Sequence, residues 1–179
     1  MEFSSEYQGK TAEIASFFGA TFAAFEGKDE GELIGGLVTD LLSTTPADDL
    51  FVFTALDEGA LVGGCVFSRL TYEEDGRFVV ILSPVAVDPA RQGQGIGQAL
   101  LNHGLGELKK HGIDVVMTYG DPNYYAKVGF EQITEDVAQA PLALQYPEGW
   151  LAQSLKAGEL TPLIGPSRCV AALNQPHFW

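Results

Sequence analysis

Three glycines fall within the run Gln92-Gly93-Gln94-Gly95-Ile96-Gly97, at a junction between a buried apolar segment and a helical one. Upstream, Phe78 to Val87 opens with Phe-Val-Val-Ile-Leu, too continuous for a strand solvated on one face, so a central strand is predicted. Downstream, Ile96, Leu100, Leu101, Leu105 and Leu108 recur at helical spacing, and Lys109-Lys110-His111-Gly112 supplies cations and a glycine stop. Ile113 to Thr118 then reads as another buried strand. Strand, glycine turn, helix and strand in this order predict a βαβ crossover with its two strands parallel. Pro84 interrupts the first of them and has no N–H for a ladder, which predicts either a bulge or a point where the neighbouring strand diverges.

Around this unit the periodicity changes twice. Ile14, Phe17, Phe18, Thr21, Phe22 and Phe25 make an apolar stripe over residues 10–26, and Leu33, Ile34, Leu37, Val38, Leu41 and Leu42 make a second over 30–43, a predicted helical pair split by Glu26-Gly27-Lys28-Asp29. Leu50 to Leu56 and Leu61 to Leu70, joined by Asp57-Glu58-Gly59, read as an antiparallel hairpin, and Glu73-Glu74-Asp75-Gly76 turns into the central strand. Beyond Phe130, Pro141, Pro147 and Pro166 break the chain into short pieces, with strands expected near Leu142 to Gln145 and Arg168 to Ala172. No repeat or linker interrupts the 179 residues, so one domain over 1–179 is expected.

A glycine turn opening a helix is an anion site when the chain can present its backbone. The helix start exposes unpaired N–H groups and the positive end of its dipole, and glycine lets phosphate oxygens approach without a Cβ in the way. Spacing separates the nucleotide chemistries. A dinucleotide fingerprint needs a further glycine at position 98, which is Gln98, and no Gly-Lys-Ser or Gly-Lys-Thr ending is present. What remains is Gln-x-x-Gly-x-Gly, carried by Gln92, Gly95 and Gly97.

With Val85-Ala86-Val87-Asp88-Pro89 before it, this turn closely resembles the acyl-CoA signature of the GNAT acetyltransferases. A second stretch, Gly120-Asp121-Pro122-Asn123-Tyr124-Tyr125-Ala126-Lys127-Val128-Gly129-Phe130, is similar to the family's Tyr-x-Lys-x-Gly-Phe segment, most like its Gly-Asp-Pro variant in YhbS-like members. The resemblance implies an α/β (α+β in some schemes) acyl-CoA N-acyltransferase fold, with a mixed, mostly antiparallel central sheet flanked by helices and a splayed parallel strand pair. It implies acetyl-CoA as cosubstrate and no metal, with Gln92, Gly93, Gln94, Gly95, Ile96 and Gly97 at the pyrophosphate and the backbone of Val85, Ala86 and Val87 along pantetheine. By the same likeness Tyr125 is the general-acid candidate, with Tyr124 its competitor. A phenol (pKa about 10) is suited to protonate a departing thiolate (about 8.5). Many family members carry Asn seven residues before this tyrosine; here the position is Thr118.

The implied reaction moves an acetyl group to a primary amine of a small molecule or a protein by direct attack. The alternative is a noncatalytic acyl-CoA-binding regulatory module. Base candidates are only Glu73, Glu74 and Asp75 in the turn before the central strand, while Glu26, Asp29 and Glu30 of the helical pair are placed to line a substrate mouth; all are equally readable as solvated charge. Arg91 and Lys127 flank the motifs and are candidates for the cofactor's 3′-phosphate. His103 and His111 belong to the long helix, and His177 carries no signal. The net charge of −14, from 24 acidic and 10 basic residues, leaves no cluster of cations for nucleic acid. Cys65 and Cys169 have apolar neighbours and no ligand spacing, which predicts buried thiols. With no leader pattern at the start of the sequence and no long apolar run, the chain reads as soluble and cytoplasmic, away from membranes. A homodimer through a sheet edge or through Trp150 and Trp179 is left open, isolated aromatics more often completing a core.

Overall fold

In the computed structural model, which describes residues 1–179, the helical pair forms as α1 (Thr11–Glu26) and α2 (Lys28–Thr44). Gly27 alone separates them, at a φ of 97° that any other residue would resist. The helices meet along small residues. A Cβ on Gly31 would lie 2.5 Å from both the Ala23 Cβ and the Gly19 carbonyl oxygen. This close approach rotates α1 away from the full phenylalanine stripe: Ile14, Ala15, Phe18 and Thr21 are buried, whereas Phe25 is 56% exposed.

Strands β2 (Leu50–Asp57) and β3 (Ala60–Tyr72) form the predicted hairpin, each with a continuous buried stretch, Val52 to Ala55 and Val62 to Ser68. Strand β1 (Glu2–Ser4), too short for any sequence signal, pairs with β2. The hairpin between β2 and β3 turns on Glu58 (φ 50°) and Gly59 (φ 82°), two positive values that match the twist of paired strands. Neighbouring residues of β3 face different helices. A Cβ on Gly64 would meet the Phe18 ring of α1, and one on Gly63 would meet Ile96 and Leu100 of α3 (Ile96–Lys110). Helix α3 stops at a glycine cap: Gly112 (φ 82°) donates to the Lys109 carbonyl and Ile113 to that of Leu108.

The crossover forms as predicted. Strand β4 (Val79–Val87) runs parallel to β5 (Val115–Tyr119), with Val79 opposite Val115 and Leu82 opposite Thr118. A short helix α4 (Pro122–Ala126) and strands β6 (Glu131–Gln132), β7 (Trp150–Ser154) and β8 (Ser167–Cys169) complete the chain. The strand order is β1-β2-β3-β4-β5-β7-β6, with β8 paired to the end of β3. Apart from β4 with β5, the registered pairs β1/β2, β3/β8, β5/β7 and β6/β7 are antiparallel, so the sheet is mixed and mostly antiparallel, with helices flanking it.

The C-terminal third departs from expectation. Leu142 to Gln145 is not a strand; prolines at 141 and 147 bound it, and its role in the sheet is taken by β7, which pairs with β5 on one side and β6 on the other. The strand expected over Arg168 to Ala172 shortens to Ser167–Cys169 and gives way to a 3-10 turn at Ala171–Leu173. Trp150 and Trp179 are buried, with ring centroids 6.0 Å apart, and their indole N–H groups donate to the carbonyls of Ala138 and Leu173. They complete a core.

The chain partitions into two compact units, Met1–Phe67 with Pro84–Gly104, and Ser68–Ser83 with Leu105–Trp179. The partition cuts through β3, β4 and α3. In β4 it falls at Ser83–Pro84.

Candidate functional site

Burial along β4 changes where the ladder stops. Val79 to Leu82 are all buried, as a strand covered on both faces requires. From Ser83 onward the pattern alternates: Ser83, Val85 and Val87 are half-buried, Pro84 and Ala86 buried. The register with β5 ends at Leu82, two residues before Pro84, consistent with a proline that has no N–H to extend it. At that last pair the fully buried Thr118 hydroxyl donates 3.0 Å to the Leu82 carbonyl. Thr118 is thereby part of how the ladder ends, a role its place in the apolar run Val115-Val116-Met117 does not announce.

After Val87 the chain turns tightly. The Asp88 N–H donates to the Val62 carbonyl, its carboxylate accepts from the Ala90 N–H, and the Arg91 N–H returns to the Asp88 carbonyl at 2.8 Å. Gln92 to Gly95 are exposed, with Gly93 at φ 74° and Gly95 at φ 78°. A Cβ at either glycine would meet nothing within 4 Å, so glycine is needed here for its backbone angle and not for packing space. The first helical bond of α3 runs from the Ala99 N–H to the Gly95 carbonyl, which leaves the N–H groups of Ile96, Gly97 and Gln98 without intrahelical acceptors. In a chain with 24 acidic residues, the first turn of α3 carries none, while its last turn carries Lys109 and Lys110. The dipole is thus complemented at its C-terminal end and left open at its N-terminal end.

Arg91 is engaged within the protein. Its Nη2 donates to Asp57 Oδ2 at 2.5 Å, and its Nε to Gln94 Oε1 at 3.3 Å. The guanidinium holds the Asp57 carboxyl below the usual carboxylate range. Asp57 lies 34 residues away in sequence, and no local pattern foretells the pairing.

The second motif folds over the end of β5. Asp121 caps α4 by accepting from the Asn123 N–H, and Pro122 occupies the first turn where its missing N–H costs nothing. The Tyr125 ring is half-buried, packed over Gly120 and edge-on to both Phe130 (5.7 Å between centroids) and Tyr124 (5.0 Å). A Cβ at Gly120 would lie 2.8 Å from the Tyr125 ring, so this glycine makes room for the tyrosine. Lys127 and Asn123 are exposed. The glycine turn with Val85 to Val87 belongs to the first compact unit, and Tyr125 with Thr118 to the second.

The turn acids have structural partners. Asp75 receives a two-point contact from Arg77 (Nε at 3.0 Å, Nη2 at 2.7 Å) and the Ile164 N–H at 3.0 Å, and these hold its carboxyl far below the usual range. Arg77 also donates to the carbonyls of Thr161 and Pro162. Glu73 pairs with Arg168, and the Glu74 carboxylate lies where a Cβ on Gly165 would stand. Asp75 is consequently a poor base. Asp29 and Glu30 sit in the first turn of α2, where acids complement the helix dipole. The His111 ring contacts the Glu107 carbonyl at 2.9 Å, and His103 stacks on Phe3. Both cysteines are free and buried, and burial raises both thiols. No three His, Cys, Asp or Glu side chains converge as a metal site, and no helix is long and apolar enough to cross a membrane.

The family profile described as an acetyltransferase (GNAT) domain matches residues 48–132. The N-acetyltransferase YjhQ of Escherichia coli (strain K12), itself uncharacterised, is 36% identical over 151 residues, covering 82% of this chain and 81% of its own. The crystal structure of Escherichia coli YhbS in complex with CoA superposes with a TM-score of 0.71 at 25% identity, covering 97% of this chain and 92% of that one. A GNAT acetyltransferase from Brucella melitensis in complex with acetyl-CoA superposes at 0.69 with 27% identity, covering 97% of both chains. With a parallel strand pair, a glycine turn opening α3 and these relatives, the chain belongs to the GNAT family of acetyltransferases.

Proposed function

We propose that this protein transfers the acetyl group of acetyl-CoA to a primary amine, on a small molecule or a protein, by direct attack. The observation that carries the donor half is the open N-terminus of α3, where Gly93 and Gly95 hold positive φ and the first-turn amides have no intrahelical acceptors. Gln92 to Gly97 cradle the pyrophosphate. Val85, Ala86 and Val87 offer pantetheine their backbone, beyond the point where β4 leaves its ladder with β5. The acetyl-CoA and CoA complexes of the Brucella melitensis and Escherichia coli structures support this choice of donor.

Aminolysis of the thioester forms the amide bond and breaks the carbon–sulfur bond, and the thiolate leaves with the electron pair. Tyr125 gives that sulfur its proton. The attacking amine is neutral and gives up one proton to solvent water as the amide forms, while the Tyr125 phenolate recovers its proton from solvent; Asp75, bound to Arg77, is not the acceptor. An amine panel incubated with acetyl-CoA, with free thiol release as readout, tests the proposal. Turnover on at least one amine is expected; tight CoA binding with no turnover on any amine would favour the noncatalytic module instead.

A further inference from the structure

We infer that Arg91 positions the glycine turn through Asp57 and Gln94, and does not serve as the ligand of the cofactor's 3′-phosphate; this rests on the reading of Gln92 to Gly97 as the CoA turn. Asp57 closes β2 at a tight hairpin, so it is a fixed anchor. From it the guanidinium reaches into the turn and holds the Gln94 side chain, the residue between the two glycines of positive φ. Gly93 and Gly95 give the turn its shape but nothing to pack against, since no atom lies within 4 Å of either Cβ position. The exposed part of the turn, Gln92 to Gly95, is held by hydrogen bonds and not by packing, and the Asp57–Arg91–Gln94 chain adds to the bond from Gln92 Nε2 to the Val87 carbonyl the link that ties it to another strand.

The charge around Arg91 also argues against a phosphate ligand. Asp57, Asp88 and Glu58 all act on the guanidinium in the same sense, favouring its charged form. A phosphate dianion arriving there would meet three carboxylates and would have to compete with Asp57 for the same donors. Arg91 therefore contributes order to the turn while its positive charge is spent inside the protein.

The two roles separate when CoA is compared with 3′-dephospho-CoA. Calorimetric titration of wild type, Arg91→Met and Asp57→Asn with both ligands is the experiment, with circular dichroism confirming that each variant is folded. The positioning role predicts that both variants weaken both ligands alike, by roughly three- to fivefold as for a partly exposed ion pair, and leave the ratio of the two affinities at its wild-type value. Arg91→Met erasing the preference for CoA over dephospho-CoA, or Asp57→Asn leaving the affinity for both unchanged, would overturn it. Wild-type protein that binds neither ligand would instead overturn the CoA reading of the turn itself.

Discussion

The two turns at either end of β4 solve opposite problems. Before the strand, Glu73 to Arg77 is rich in charge, and that charge is consumed: Asp75 by Arg77 and the Ile164 N–H, Glu73 by Arg168, and Arg77 by the carbonyls of Thr161 and Pro162. After the strand, Gln92 to Gly97 carries no charge, and the first-turn amides of α3 have no intrahelical acceptor. The first turn is a clamp made of side chains, the second a cradle made of their absence. Ionisable residues cluster at the end of β4 away from the proposed site.

The sharpest way to break this comparison is to give the cradle a side chain. Gly95→Val replaces a residue at φ 78° with open space around it, so the protein should fold while the turn changes shape. A fall in kcat/KM for acetyl-CoA on the order of a hundredfold is expected, the effect of misplacing a bound group by about an ångström. Full activity in a folded variant would remove the turn from the donor site. Tyr125→Phe should lower kcat by roughly a hundredfold, the lower end for general acid catalysis, with CoA affinity retained. Equal turnover by wild type and variant from pH 6 to 10 would take Tyr125 out of the chemistry.

At the clamp the effect should fall on stability. Asp75→Asn removes a carboxylate held by four donors and should cost about 1–3 kcal/mol in urea unfolding, with acetyl-CoA affinity unchanged. The pH dependence has a definite sign. Because its folded-state pKa is depressed, Asp75 contributes stability that is present above its unfolded value of about 4 and is lost as pH falls toward its folded one. Wild type should therefore lose more stability than Asp75→Asn on acidification below pH 4, and parallel curves would contradict the clamp. The smallest effect is expected from Thr118→Val, which keeps shape but loses the hydroxyl to Leu82, at about 1 kcal/mol by the same measurement.

What the sequence reveals of this molecule is what local chemistry decides. The hairpin at Asp57-Glu58-Gly59, the crossover through α3 and the glycine cap at Gly112 are legible because turn angles and helical spacing leave marks within a few residues. β7 left none: Trp150, Leu151 and Ala152 are followed by Gln153 and Ser154, and the segment is a strand because β5 and β6 flank it. Leu142 to Gln145 looked more like a strand than β7 does, but has no strand beside it. In the candidate site the backbone features were legible and the long-range side-chain partners were not. Nothing near Arg91 in sequence marks Asp57 as its partner, and nothing near Asp75 marks the Ile164 N–H.

The central claim is that the amides opening α3 receive the phosphates of CoA. Amide chemical shifts of the isotope-labelled protein, followed through a titration with CoA, address it residue by residue. The largest changes are predicted at Gly93, Gly95, Ile96, Gly97 and Gln98, with little movement at Glu73, Glu74, Asp75 and Arg77. Saturable binding that shifts the amides of Glu73 to Arg77 and leaves those of Gly93 to Gln98 unmoved would contradict it.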